Sequence, residues 1–156
     1  MMIHNFEKFF DDNSEMRRVL SKGKFTTMAL SDGNDPYILT LSYGLDALEN
    51  ILYFHTSRTG TKIDFLKSNS YVCGTVILDH GYQGGYPHYQ SIVYKGLIEV
   101  IHNKEEKLRA MESLFHQLEE DSANRIERII EDPASLDNIL IMKLIIDEMT
   151  EKENPG

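Results

Sequence analysis

The sequence predicts an antiparallel barrel or α+β fold of about six strands with flanking helices. Three observations carry this. Short apolar strands follow one another in hairpin order. The links between the first three are too short for the crossover helices that a parallel sheet needs. Clear helical periodicity over a long stretch appears only late, at Lys104 to Leu118. Closing such strands into a barrel would also remove exposed edges.

The elements follow in order. Ser14 is suited to cap a short helix whose stop signal is Gly23. Lys24 to Ser31 reads as a strand, and Asp32-Gly33-Asn34-Asp35 as the turn after it. Pro36 opens a second strand, Tyr37 to Tyr43, because proline is tolerated at the first residue of a strand. Gly44 to Asn50 reads as a loop and Ile51 to Thr56 as a third strand. Ile63, Phe65 and Leu66 fit one face of a helix that begins near Thr61. Tyr71 to Leu78 is a fourth, mostly apolar strand, and Gly81 to His88 is irregular by composition.

Tyr89 to Ile101 reads as a long fifth strand with Ile92, Tyr94, Gly96, Ile98 and Val100 on one face. Gly96 within that face predicts a bend or a close backbone approach. Lys104 to Leu118 repeats Leu108, Met111, Phe115 and Leu118 at helical spacing. Ile126, Ile129 and Ile130 extend that periodicity to Pro133. Asn138 to Glu148 reads as the last strand, with Leu140, Met142, Leu144 and Ile146 on one face.

At 156 residues the chain suits a single domain, spanning residues 1–156, with a sizeable core. Its composition, 41% hydrophobic and 26% charged, is that of a globular protein rather than a disordered one. No apolar run approaches ~18 residues, so no membrane partner is expected. The N-terminal stretch lacks the basic flank and apolar core of a secretory signal. The single Cys73 precludes an internal disulfide. These features together predict a cytoplasmic location. A net charge of -9 argues against nucleic acid as the partner, because phosphate backbones call for broad basic surfaces.

That charge is unevenly spread. His55 to Ser68 holds three bases (Arg58, Lys62, Lys67) against one acid (Asp64). Asn103 to Asp137 holds five bases against ten acids, which reads as a solvated helix face. A small positive focus in an acidic chain suits one small anionic ligand.

The focus coincides with YFHTSRTGTKIDFLKSN at 53–69, a strand that stops at a polar loop and restarts as a helix. Thr56, Ser57, Thr59, Gly60 and Thr61 supply hydroxyls and free amides, and Lys62 a full charge, beside a helix N-terminus that favours anions. A phosphate-bearing ligand is one reading. A plain strand-to-helix connection capped by Thr59 or Thr61 is the other. The loop is not a Walker A sequence, and no dinucleotide fingerprint occurs.

Other chemistry finds less support. The six histidines, His4, His55, His80, His88, His102 and His116, include no H-E-x-x-H, and Cys73 has no cysteine partner for a zinc site. His55 ends a strand beside the polar loop, within reach of a ligand or simply half-buried there. Ser42 and Ser91 stand in no triad spacing. Cys73 lies in an apolar strand, where a thiol packs as a small hydrophobe. Tyr82, Tyr86 and Tyr89 suit stacking on a flat ring or packing as a surface loop. No strong acid, base or metal set is present, so an enzyme of this kind would need a cofactor.

Three segments carry a family resemblance: PYILTLSYG at 36–44, LYFHTSRTGTKIDFLKSN at 52–69 and YQSIVYKGLIEV at 89–100. In order and spacing they resemble the pyridoxamine 5'-phosphate oxidase-like flavoproteins, in particular the branch that includes nitroimidazole-resistance proteins. The likeness covers residues 14–148. It implies a mainly β split β-barrel, a homodimer, and FMN at the subunit interface. By position, Thr56, Ser57, Thr61 and Lys62 would surround the FMN phosphate. The backbone at Leu41, Ser42 and Tyr43 would run beside the isoalloxazine ring, with His55 between the two parts. Tyr89, Gln90 and Ser91 would approach the flavin, from the same or the other subunit.

Two departures qualify the resemblance. Thr61 stands where the vitamin oxidases carry an arginine. The chain has no Trp, so their tryptophan-containing C-terminal segment is missing. Both point away from vitamin oxidation. The resemblance as a whole implies an FMN-dependent oxidoreductase, a reductase of a small flat or nitroaromatic compound. A flavin carrier or sensor without turnover, or a related barrel holding deazaflavin or haem, would use the same loop.

Overall fold

The computed structural model describes residues 4–8, 14–118, 123–132, 134, 137 and 139–154. Among the described residues, eight strands and four helices follow in the order β1 (His4–Lys8), α1 (Ser14–Lys22), β2 (Phe25–Ser31), β3 (Pro36–Ser42), β4 (Gly44–Asp46), β5 (Ile51–Thr56), α2 (Thr61–Ser68), β6 (Tyr71–Gln83), β7 (Tyr86–Val100), α3 (Lys104–Leu118), α4 (Ala123–Glu131) and β8 (Leu140–Asn154). The expected mainly β antiparallel architecture with flanking helices is present.

The expected count of six strands is two short. β4 lies inside the stretch read as a loop, and β1 precedes the first expected helix. Neither is long enough to show an alternating pattern by itself. β8 runs six residues beyond its expected end at Glu148, because the polar tail Thr150 to Asn154 pairs with β7. Pro133, the expected helix stop, and Asn138, the expected start of the last strand, lie outside the described residues.

The sheet runs β3-β2-β6-β7-β8-β5-β4, with β1 also on β8. β8 is its spine. One edge pairs with β7 along its length, and the other pairs with β5 at Leu140 to Ile145 and with β1 at Met149 to Glu153. The two ends of the path, β3 and β4, are neighbours in sequence with only Tyr43 between them. The sheet therefore curls until its ends share one stretch of chain, although no described ladder closes it.

Alternation places the core. On β7, Ile92, Tyr94, Gly96 and Ile98 are buried, while Val93, Lys95, Leu97 and Glu99 face outward. Buried Met142, Leu144 and Ile146 on β8 meet them inside. Gly96 marks a register shift against β8, and a Cβ there would run into the Ile145 carbonyl. α1 closes one end of the barrel with Met16, Val19 and Leu20.

A second cluster lies outside the barrel, where α3 packs Ala110, Met111, Leu114 and Phe115 against Tyr53, Ile101 and Ile141. The buried stripe of α3 thus centres on positions 110, 111, 114 and 115. Leu108 and Leu118, expected within it, are only half-buried. The stretch read as irregular is a hairpin tip: Gln83 faces Tyr86 across Gly84 and Gly85, both at positive φ as a primed two-residue turn demands.

Candidate functional site

β5 ends at Thr56 and α2 begins at Thr61, so Ser57 to Gly60 is a four-residue turn of chain direction. Ser57 Oγ donates to the Thr59 carbonyl at 2.9 Å, which shapes the loop and engages the Ser57 proton. Gly60 is the N-cap of α2, at φ 131° and with no side-chain cap bond. Its carbonyl accepts from Ile63 and Asp64 at 3.1 and 3.2 Å. The expected Thr59 or Thr61 cap is therefore not what the loop uses. The amides of Thr61 and Lys62 are left at the helix end, where they favour an anion.

Around that helix end, Thr56 is half-buried, Thr61 is exposed and Lys62 is half-buried. Lys62 forms no ion pair or side-chain hydrogen bond with any described residue, so its charge is available to a ligand. Arg58 points elsewhere: its guanidinium donates to the Asp137 carbonyl. Among the described residues the site thus holds one uncommitted cation (Lys62), two uncommitted hydroxyls (Thr56 and Thr61) and the amides of Thr61 and Lys62. That donor set fits a phosphate monoester.

β4 carries the second expected segment to the loop. Gly44, Leu45 and Asp46 pair with Tyr53, Leu52 and Ile51. The chain immediately before Gly44, Leu41 to Tyr43, is thereby brought beside the end of β5, which holds exposed His55 and Thr56. Leu41 is half-buried against the barrel core. The Tyr43 side chain is fully buried, its hydroxyl donates to the Leu20 carbonyl, and its amide donates to the Lys24 carbonyl at 3.2 Å. Tyr43 can flank a ligand with backbone only. Burial pushes its phenol well above the usual range, so it stays protonated at neutral pH, with its proton engaged by the Leu20 carbonyl.

The third segment stands apart within one chain. Phe54 is level with Met142, and Met142 with Val100. Ser91 lies at the other end of β7, on the order of 30 Å along the strand from Val100. Gln90 is buried, and its amide is fully used: Nε2 donates to Glu15 at 2.9 Å and to Glu153 at 3.0 Å, and Oε1 pairs with His80 Nε2 at 2.9 Å. It ties α1, β6, β7 and β8 together. Nothing in the sequence links positions 15, 80, 90 and 153, so this hub was not foreseeable from spacing. The Tyr89 ring is half-buried under Lys152 Nζ, 5.7 Å from its centroid. Ser91 is half-buried on the outward-facing side of β7.

No metal-binding role was expected. Among the described residues Glu15, Glu151 and Glu153 do bring carboxylate oxygens within 4.8 Å of one another, at the far end of the sheet from the loop. No described helix is long and apolar enough to cross a membrane.

The sequence profile of the pyridoxamine 5'-phosphate oxidase family matches residues 12–153. No curated protein sequence matches the chain. Among solved structures, a candidate 5-nitroimidazole antibiotic resistance protein from Bacteroides thetaiotaomicron superposes with a TM-score of 0.75 at 22% identity, covering 98% of this chain and 89% of that one. An FAD-binding protein from Mesorhizobium loti superposes at 0.70 and 20% identity, covering 99% of each chain. An FAD- and haem-binding protein from Mycobacterium smegmatis does so at 0.71 and 19% identity, covering 93% of this chain and 72% of that one. At such identities the three share the fold.

Proposed function

The chain belongs to the pyridoxamine 5'-phosphate oxidase family, and from that membership we propose that it is an FMN-dependent reductase of a small flat or nitroaromatic compound. The observation that carries this reading is the uncapped N-terminus of α2, with Lys62 uncommitted beside it and Leu41 to Tyr43 drawn alongside by β4. Lys62 neutralises the phosphate charge, and Thr56, Thr61 and the first-turn amides fix its position. Ser57 contributes by shaping the loop. The backbone of Leu41 to Tyr43 orients the ring. Bound FMN would supply hydride or electron transfer to the substrate. No side chain of the site is assigned as acid or base.

The site is a homodimer's. Tyr89 to Ser91 do not adjoin the loop within one chain, which supports their arrival from a second copy. The outward face of β2, β3, β6 and β7 supplies the surface: Phe25, Ile38, Ile77 and Val93 are exposed there at 61, 69, 61 and 41%. An apolar sheet face of that extent is a place for a partner.

The test is the absorbance spectrum of the purified protein, followed by mass identification of the released ligand. FMN and bleaching by a reduced nicotinamide are expected. FAD would correct the cofactor, and a Soret band would favour haem at His55. Flavin without turnover by any reductant would favour a carrier or sensor. A colourless protein that takes up no flavin at micromolar concentration would end the proposal.

A further inference from the structure

The helix that bears the phosphate loop has a second binding face. At roughly 100° per residue, Ile63, Leu66 and Lys67 share one side of α2, and Thr61 lies on the opposite side. On the Ile63 side a cleft of about 230 Å³ opens between α2 and the ends of β7 and β8. Its apolar wall is formed by Ile63, Leu66, Ile98 and Met142, and its cations are Arg58 and Lys67. None of the residues assigned above to flavin lines it.

Three properties specify what it takes. The apolar wall reaches into the barrel core: Ile98, Met142 and Ile63 are 6, 2 and 8% exposed. A ligand there exchanges water for close-packed hydrocarbon. The volume is below the ~300–1,000 Å³ of sites for drug-sized ligands, so a body of one ring fits and a flavin does not. The charges are available. Lys67 forms no ion pair with a described residue. Arg58 commits one donor to the neutral Asp137 carbonyl and keeps the rest of its guanidinium fork. Two uncompensated cations beside an apolar pocket, in a chain of net charge -9, select an anion with an apolar body.

We infer that this cleft binds a small monocarboxylate with a ring-sized apolar body, its carboxylate held by Arg58 and Lys67, on the side of α2 away from the phosphate-facing Thr61. The carboxylate geometry matches the guanidinium fork, which favours it over a compact inorganic anion. The inference rests on the cleft alone and stands whether or not the loop holds FMN.

Titrating benzoate into isotopically labelled protein, followed by amide resonances, tests it. Perturbations are expected at Arg58, Leu66, Ser70, Val100 and Met142, and not at Thr56 or Thr61. Replacing both cations, with R58Q and K67Q in one chain, should raise the benzoate Kd at least tenfold, whereas loss of the exposed Arg58 bond to the Asp137 carbonyl should lower the melting temperature only slightly. Benzyl alcohol, with the same ring and no charge, should bind the two proteins equally. FMN at saturation should leave the benzoate titration unaltered. Three results would overturn the inference: no perturbation at tens of millimolar benzoate, equal benzoate affinity in the double variant, or displacement of benzoate by FMN. Failure of the protein to take up FMN would bear on the flavin reading alone.

Discussion

The hydroxyls of Thr26 and Tyr94 meet at 2.7 Å inside the barrel, and Thr26 also reaches the Thr75 carbonyl at 2.9 Å. Room for that meeting comes from Gly74, where a Cβ would overlap the Tyr94 hydroxyl. Gly74→Ala therefore forces a buried phenol away from its partner. It should cost about 1–3 kcal/mol, the range for an overpacked core. Denaturant unfolding reads this. An unchanged midpoint would show that Tyr94 shifts without cost.

Gly60 offers the opposite case. A Cβ there meets nothing within 4 Å, yet the residue sits at φ 131°. Gly60→Ala is penalised by backbone strain alone, about 1–3 kcal/mol. The strain falls on the N-cap of α2, so flavin affinity should drop with stability. Calorimetric titration beside a melting curve separates the two effects.

Lys62→Ala should weaken FMN about tenfold or more, the scale of one charge-assisted hydrogen bond. Riboflavin, which lacks the phosphate, should lose far less. Equal losses for both would remove Lys62 from the phosphate.

The Arg18 hydrogen bond, with a second from Gln90, holds the Glu15 carboxyl well below its usual range, at about 2. A depressed folded-state pKa contributes stability that is present above the unfolded value of about 4.5 and is lost as pH falls towards 2. The pair is partly exposed, so the effect is a fraction of what the shift alone suggests. Glu15→Gln should flatten the acid limb of a plot of melting temperature against pH between about 4.5 and 2. It should leave the curve's shape above pH 6 unchanged. A parallel acid limb in both proteins would contradict the assignment.

Ile38→Lys and Ile77→Asp each place a charge on the outward sheet face. Light scattering should show a dimer for the parent and a monomer for the variants, with flavin uptake falling in step. Dimers that persist in both variants would move the interface elsewhere.

Much of this arrangement was readable from the chain. Gly96 was expected to bend a strand or admit a close backbone, and it does so against Ile145. β5 and α3 begin and end where periodicity placed them, because long apolar repeats report burial directly. β4 was not readable, since its three residues owe their strand form to a partner across the sheet. Nor was the use of Ser57, whose hydroxyl turns inward to Thr59 instead of outward. The positions of Thr61 and Lys62 followed from local sequence. The engagement of Gln90 by Glu15 and Glu153 followed from tertiary contacts that bring distant residues together.

The central place of β8 has a consequence for the order of events during synthesis. β5 and β4 are joined to the rest of the sheet through β8, which follows all the other described strands in the chain. Until Leu140 to Asn154 leave the ribosome, the β4–β5 hairpin has no ladder to the rest of the sheet, and β5 presents an open edge to other chains. The nascent protein must hold that edge apart until β8 follows, and a stalled ribosome short of residue 140 would release a product with every described strand but the one that joins them.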